Sequence, residues 1–189
     1  MKFKMKKIYI VLTYTGTILS KIIKLYTKKE YSHVSIALDQ NLKYMYSFGR
    51  LNPYNAFIGG FVHEEIDKGT FKRFKNTKSL VYDINVTDSE YNRIIKNICE
   101  FEKNKEKYHF NIKGLFAAGF NKKITKDNYF YCAEFLKFIL DESGININLP
   151  EIIKPEDFEN VKNKNIIYKG YLKNYNYRLA KIYENQVAC

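Results

Sequence analysis

The sequence predicts an α+β domain in which antiparallel strands carry helices around them, and three observations lead there. Residues 32 to 48 alternate through His33-Val-Ser-Ile-Ala-Leu38, turn at Asp39 to Lys43 and run on through Tyr44 to Phe48, the pattern of a hairpin. Thr87-Asp-Ser-Glu90 has the form of a capping box and opens a run with helical spacing. Tyr129 to Asp141 carries a second apolar helical stripe, with Gly144 just beyond it as a stop.

In chain order, Lys7 to Thr13 is rich in β-branched residues and reads as a strand. Thr17 then caps a helix whose apolar positions are Ile18, Leu19, Ile22, Ile23 and Tyr26. After the hairpin, residues 49 to 76 read as a long connection that contains Asn52-Pro53-Tyr54-Asn55 and Gly59-Gly60, with a strand pair at Phe61 to Ile66 and Thr70 to Phe74. Leu80 to Asn85 is a strand. The capped helix runs to about Lys103 with Ile94, Ile95, Ile98 and Phe101 inward, and Cys99 reads as part of that core. A short helix is expected at Gly114 to Ala118, a late strand at Ile166 to Lys169 and a last helix at Leu172 to Glu184. No linker or repeat divides the chain, so 1–189 is expected to be one domain, with a motif-bearing core over about 7–141 and a C-terminal extension over about 145–189.

Composition narrows the function. With 46% apolar and 16% aromatic residues there is material for a core. Cys99, Cys132 and Cys189 stand far apart, and the histidines show no metal-ligand spacing, so neither a disulfide scaffold nor a zinc finger is expected. No metal and no cofactor is predicted. The run Ile8 to Leu19 is too short and too broken by threonines to span a bilayer or to serve as a secretion signal, which makes the cytoplasm the expected address. The formal charge is +12, yet only Arg50, Arg73, Arg93 and Arg178 are arginines, and base-edge readout depends on the guanidinium fork. Specific nucleic-acid binding is therefore disfavoured. The charge reads first as a solvated basic surface and second as weak attraction to anionic membrane.

Chemistry is sought at Cys132. A helix that starts near Asp127 or Asn128 puts this thiol close to unpaired N–H groups and the positive end of the dipole, where a thiolate is stabilised, although a cysteine on an apolar stripe is commonly core. On a strand, His33, Ser35 and Ala37 share one face, and a helix laid over those small residues brings its N-terminal cysteine to the imidazole. A third polar group is then needed to orient the imidazole. Ser47, on the neighbouring strand, has the right parity.

The order Tyr31-Ser-His33-Val-Ser-Ile on an early strand, then Tyr131-Cys132-Ala-Glu134-Phe-Leu at a helix start, resembles the circularly permuted branch of the NlpC-type papain-like superfamily. This branch includes YiiX-like and YaeF-like proteins and, more distantly, lecithin:retinol acyltransferase-like enzymes. The resemblance implies an antiparallel sheet or small open barrel packed against helices, with the nucleophile at a helix N-terminus. It implies Cys132 as nucleophile and His33 as base; at the third position, where Glu, His, Asn or Gln is usual, Tyr46-Ser47 stands instead, and Ser47 is the candidate there. Tyr14, Thr15 and Tyr131 are the candidate substrate-binding residues, and Glu134 is read as structural. The implied activity is a cysteine hydrolase or acyltransferase that cleaves amide or ester bonds through a thioester, on a peptide, a cell-wall fragment or an acyl lipid. Aromatic residues such as Phe48, Tyr54, Phe57, Phe61, Phe116 and Phe120 are candidates for an apolar groove. The alternatives are a catalytically weak binding module and a basic membrane-surface or nucleic-acid-associated protein.

Overall fold

The computed structural model describes residues 5–17, 20–21, 24–25 and 29–176. The predicted stripe of Ile18, Leu19, Ile22, Ile23 and Tyr26, the part of the last predicted helix beyond residue 176, and Cys189 lie outside the described residues. The Thr17 cap is present: its hydroxyl accepts from the Ser20 N–H, and its carbonyl accepts from the Lys21 N–H.

The architecture is α+β. Six strands form one sheet, β1 (Met5–Tyr14), β2 (His33–Ala37), β3 (Met45–Asn52), β4 (Asn55–Glu64), β5 (Lys78–Thr87) and β8 (Asn165–Tyr171), in the order β4-β3-β2-β1-β5-β8. All five pairings are antiparallel. Among the described residues, helices α1 (Gly69–Arg73), α2 (Asp88–Lys103), α3 (Ile112–Gly119) and α4 (Cys132–Glu142) accompany it. A parallel two-stranded ribbon of β6 (His109–Phe110) and β7 (Tyr129–Phe130) links α2 to the start of α4.

Alternation in the strands divides the core into two layers. One face of the sheet carries Ile8, Ile10, Leu12, Val34, Ile36 and Phe48, and α2 and α4 cover it with Ile94, Ile98, Phe101, Phe135, Leu136 and Ile139. The other face carries Tyr9, Val11, Ala37, Met45 and Val81 under Phe71 of α1 and Leu172. The C-terminal extension joins both layers: Ile145, Ile153, Phe158 and Val161 are buried in the first, Ile167 and Leu172 in the second. Each fully buried apolar side chain of this kind contributes about 1.5–3 kcal/mol.

Five expectations are corrected. Residues 70 to 74 are not a strand: Gly69 at φ +52° turns the chain into α1, and only Phe71 of that helix is buried. The partner of the Phe61 segment is β3, through a turn at Pro53-Tyr54, so much of the long connection is a hairpin. Cys99 is exposed, because it lies about a quarter-turn round α2 from the buried Ile98. Helix α4 does not begin at residue 129: Tyr129 and Phe130 pair with β6 after Asn128 bends the chain at φ +62°, and the N-cap is Tyr131. The end of the predicted Leu172 helix that is described is a 3-10 turn over Leu172–Asn174.

Candidate active site

Strands β2 and β3 pair only at Ile36–Tyr46 and Ala37–Met45. Beyond those pairs they diverge, and a small cleft of about 70 Å³ opens where His33, Phe48, Gly49, Glu64 and Cys132 line one space. Helix α4 lies on the Val34 and Ile36 face, opposite to the face expected to receive it. Thiol and imidazole meet at the divergent end of the strand pair rather than across a flat sheet. The shift in the α4 start makes this possible, because Cys132 is the first helical residue and its N–H has no acceptor within the helix.

The imidazole is held from behind by a carboxylate. His33 Nε2 lies 3.0 Å from Glu64 Oε1, with side-chain exposures of 19% and 9%, so the pair is largely withdrawn from water. The register explains the meeting. Glu64 stands opposite Met45, Met45 opposite Ala37, and Ala37 shares its face with Ser35 and His33. Ser35 Oγ donates to the other carboxylate oxygen of Glu64. With Nε2 engaged, Nδ1 is the ring nitrogen left for Cys132, which lines the same cleft and lies near enough to favour the charged imidazole.

Burial works against a charged His33, but the charges of Glu64 and Cys132 and their hydrogen bonds outweigh it and push the histidine up to about 10. Burial likewise opposes a charged Glu64, and the charge of His33 with hydrogen bonds from His33, Ser35 and Ser47 holds its carboxyl below the usual range. Both shifts favour the imidazolium–carboxylate form of the pair.

Ser47 is fully buried and forms no hydrogen bond of regular geometry, yet its hydroxyl lies close enough to Glu64 to favour the carboxylate. It supports the group that touches His33 and does not touch the ring itself. Thr15 lines the cleft. Tyr14 is half-buried outside it, beneath the ammonium of Lys24, which sits 4.8 Å from the ring centroid. Tyr131 faces away from the cleft: it is buried, and its hydroxyl donates to the Ile153 carbonyl at 2.6 Å. Glu134 accepts from the Tyr131 N–H and from Asn111 Nδ2, so it closes the α4 cap and ties it to the start of α3. The residue that sequence reasoning missed is Glu64. Its signal was the alternation of Val62 and Glu64 against Phe61 and His63, a carboxylate on a strand face.

The apolar wall of the cleft is Phe48, Phe71, Phe110 and Leu115. Phe61 is core, Phe116 is half-buried, Tyr54 and Phe120 are exposed, and the Phe57 side chain lies outside what is described. Among the described residues no three His, Cys, Asp or Glu side chains gather as a metal-binding group, and no helix is long and apolar enough to cross a membrane. Comparison of the chain with known protein families, with curated proteins and with solved structures finds no match.

Proposed function

We propose that this chain is a thiol-dependent hydrolase or acyltransferase with a permuted papain-like fold, acting on an amide or ester bond through Cys132, His33 and Glu64. The observation that carries the reading is the buried Glu64–His33 pair whose free ring nitrogen addresses a cysteine at the first position of a helix. The thiolate of Cys132 attacks the carbonyl carbon, and the carbonyl electron pair moves onto oxygen, where the Cys132 N–H donates to it. As the tetrahedral species collapses, the bond to the leaving nitrogen or oxygen breaks and His33 delivers its proton there, which leaves a thioester. Water, or an amine or alcohol acceptor, gives a proton to His33 and cleaves the thioester. Glu64 fixes the ring and stabilises its charged form throughout.

The third residue bears on the alternatives. A silent binding module drew its support from serine as the orienting group, and a carboxylate on the imidazole removes that support. The acyl donor in this reading is a peptide, a cell-wall fragment or an acyl lipid, with Phe48, Phe110 and Leu115 favouring an apolar flank, and the scattered cysteines favour a cytoplasmic setting.

The test is the pH dependence of Cys132 alkylation, followed by mass spectrometry against Cys99 as an internal reference, in wild type, His33→Ala and Glu64→Gln. Cys132 is expected to react faster than Cys99 near neutral pH and to lose that advantage in both variants. A Cys132 that reacts no faster than Cys99, and is indifferent to His33, would overturn the reading.

A further inference from the structure

Only four arginines occur in the chain; one of them, Arg50, lines the cleft, and a second, Arg73, shares the Phe74 ring with it. Arg50 lines the cleft beside Cys132, His33 and Glu64. Its guanidinium is half-buried, donates a single hydrogen bond, from Nη2 to Thr17 Oγ1 at 2.7 Å, and forms no ion pair among the described residues. A guanidinium offers five N–H donors, so among the described residues most of this fork meets no acceptor. Glu64, the carboxylate in the same space, is engaged by His33 and Ser35 instead.

The surroundings hold the guanidinium in place without neutralising it. Thr17 is itself fixed by Thr15 and Ser20 through a chain of hydroxyl contacts at 3.2 Å each, so it presents a set acceptor to Arg50. The Phe74 ring lies under Arg50, with 5.8 Å from Cζ to the centroid. Arg73, on the last turn of α1, stacks on Tyr54 at 3.9 Å and on Phe74 at 5.3 Å, which brings a second like charge to the Phe74 ring. Burial first and the Arg73 charge second make the charged form of Arg50 less comfortable than it is in water. A partly desolvated cation kept beside another cation is compensated when an anion arrives.

We propose that the cleft contains an oxyanion-group subsite in which Arg50, backed by Arg73, binds a carboxylate or phosphate on the substrate next to the bond that Cys132 attacks. The inference rests on Cys132 as nucleophile and narrows the substrate to an acidic one, such as an acyl donor with a free carboxylate or an acyl lipid with a phosphate headgroup. Planar carboxylate and tetrahedral phosphate both match the guanidinium fork. The hydroxyls of Thr15, Thr17 and Ser20 on the cleft wall donate to one another and to the Thr17 carbonyl, so the donors that face an oxyanion are those of Arg50.

Two alkylating agents of nearly equal size test this without knowledge of the substrate: iodoacetate carries a carboxylate and iodoacetamide does not. The quantity read is the ratio of their rates at Cys132, so the attraction from His33, common to every variant, cancels. The ratio is expected to fall roughly tenfold in Arg50→Gln, as for loss of a charge-assisted hydrogen bond, and about twofold in Arg73→Gln, whose charge is exposed and screened. At fixed ionic strength, competition on the folded wild-type protein separates the sources. Slower iodoacetate labelling in acetate indicates a carboxylate substrate, and slower labelling in inorganic phosphate a phosphate one. An unchanged ratio in Arg50→Gln, or protection by neither ion, overturns the subsite while fast Cys132 alkylation leaves the thiol mechanism standing. Slow alkylation by both agents in wild type overturns the mechanism and the subsite together. If Arg50→Gln does not fold, the competition arm decides alone.

Discussion

The proton inventory of His33 and Glu64 sets how the protein responds to pH. His33 titrates near 6.5 when unfolded and near 10 when folded, so its contribution to stability is complete below about pH 6.5 and is lost as pH climbs through 10. Glu64 is shifted the other way: its contribution is complete above the ordinary 4.5 and is lost as pH falls through the lower folded value. The pair therefore stabilises most between about pH 4.5 and 6.5. Urea denaturation at pH 6, 8 and 10 is expected to show wild type losing stability across the series and His33→Gln losing less; equal slopes would count against the ion pair. Glu64→Ala leaves a buried imidazolium without its partner and is expected to cost about 3–5 kcal/mol at pH 6. His33 and Cys132 were legible as residues because each sits in a short motif whose chemistry is local. Glu64 was not, because its approach to His33 depends on how far two strands diverge, and parity along one strand does not encode that gap.

Elements whose boundaries rest on local chemistry were legible to within a few residues. Thr87 accepts from the Glu90 N–H while the Glu90 carboxylate returns to the Thr87 N–H, so the α2 start followed from four letters of sequence. Thr87→Ala is expected to cost about 1 kcal/mol in thermal or chemical denaturation with the fold intact. The start of α4 was misread by three residues because a two-residue parallel ribbon has no periodicity of its own, and the helical stripe continues through Tyr129 and Phe130 unbroken. That ribbon depends on Gly59. A Cβ there would stand 2.9 Å from Phe110 Cγ and 3.0 Å from the Gly49 carbonyl oxygen, so β4 and β6 approach too closely for any side chain. Gly59→Ala is expected to cost about 1–3 kcal/mol, as overpacking does. It is also expected to slow Cys132 alkylation, since Phe110 and Gly49 line the cleft. A variant destabilised without any change at Cys132 would separate the ribbon from the site.

At the scale of the whole molecule, the described part of the C-terminal extension is built into the core and the sheet. Phe158 and Ile153 are buried against the helices, the Phe158 carbonyl accepts from the Tyr82 hydroxyl at 2.7 Å, and the Ile153 carbonyl accepts from Tyr131, the residue next to Cys132. Strand β8 then covers the open edge of β5. None of the described residues beyond Cys132 lines the cleft, and the extension reaches the thiol-bearing helix through the Ile153 carbonyl and Tyr131. This arrangement was hidden in the sequence because residues 145 to 164 lack helical or strand period, and irregular chain declares its burial only through the partners it finds. A chain ended after Gly144 is expected not to fold to a stable monomer, since it loses several buried side chains and leaves two tyrosine hydroxyls without acceptors. Tyr131→Phe is the finer test. It removes the donor to Ile153 while the ring stays buried, so it is expected to cost about 1 kcal/mol in denaturation. If the extension positions Cys132 through Tyr131, this variant also slows the alkylation of Cys132 relative to Cys99; an unchanged ratio would mean that burial of the extension alone fixes the helix.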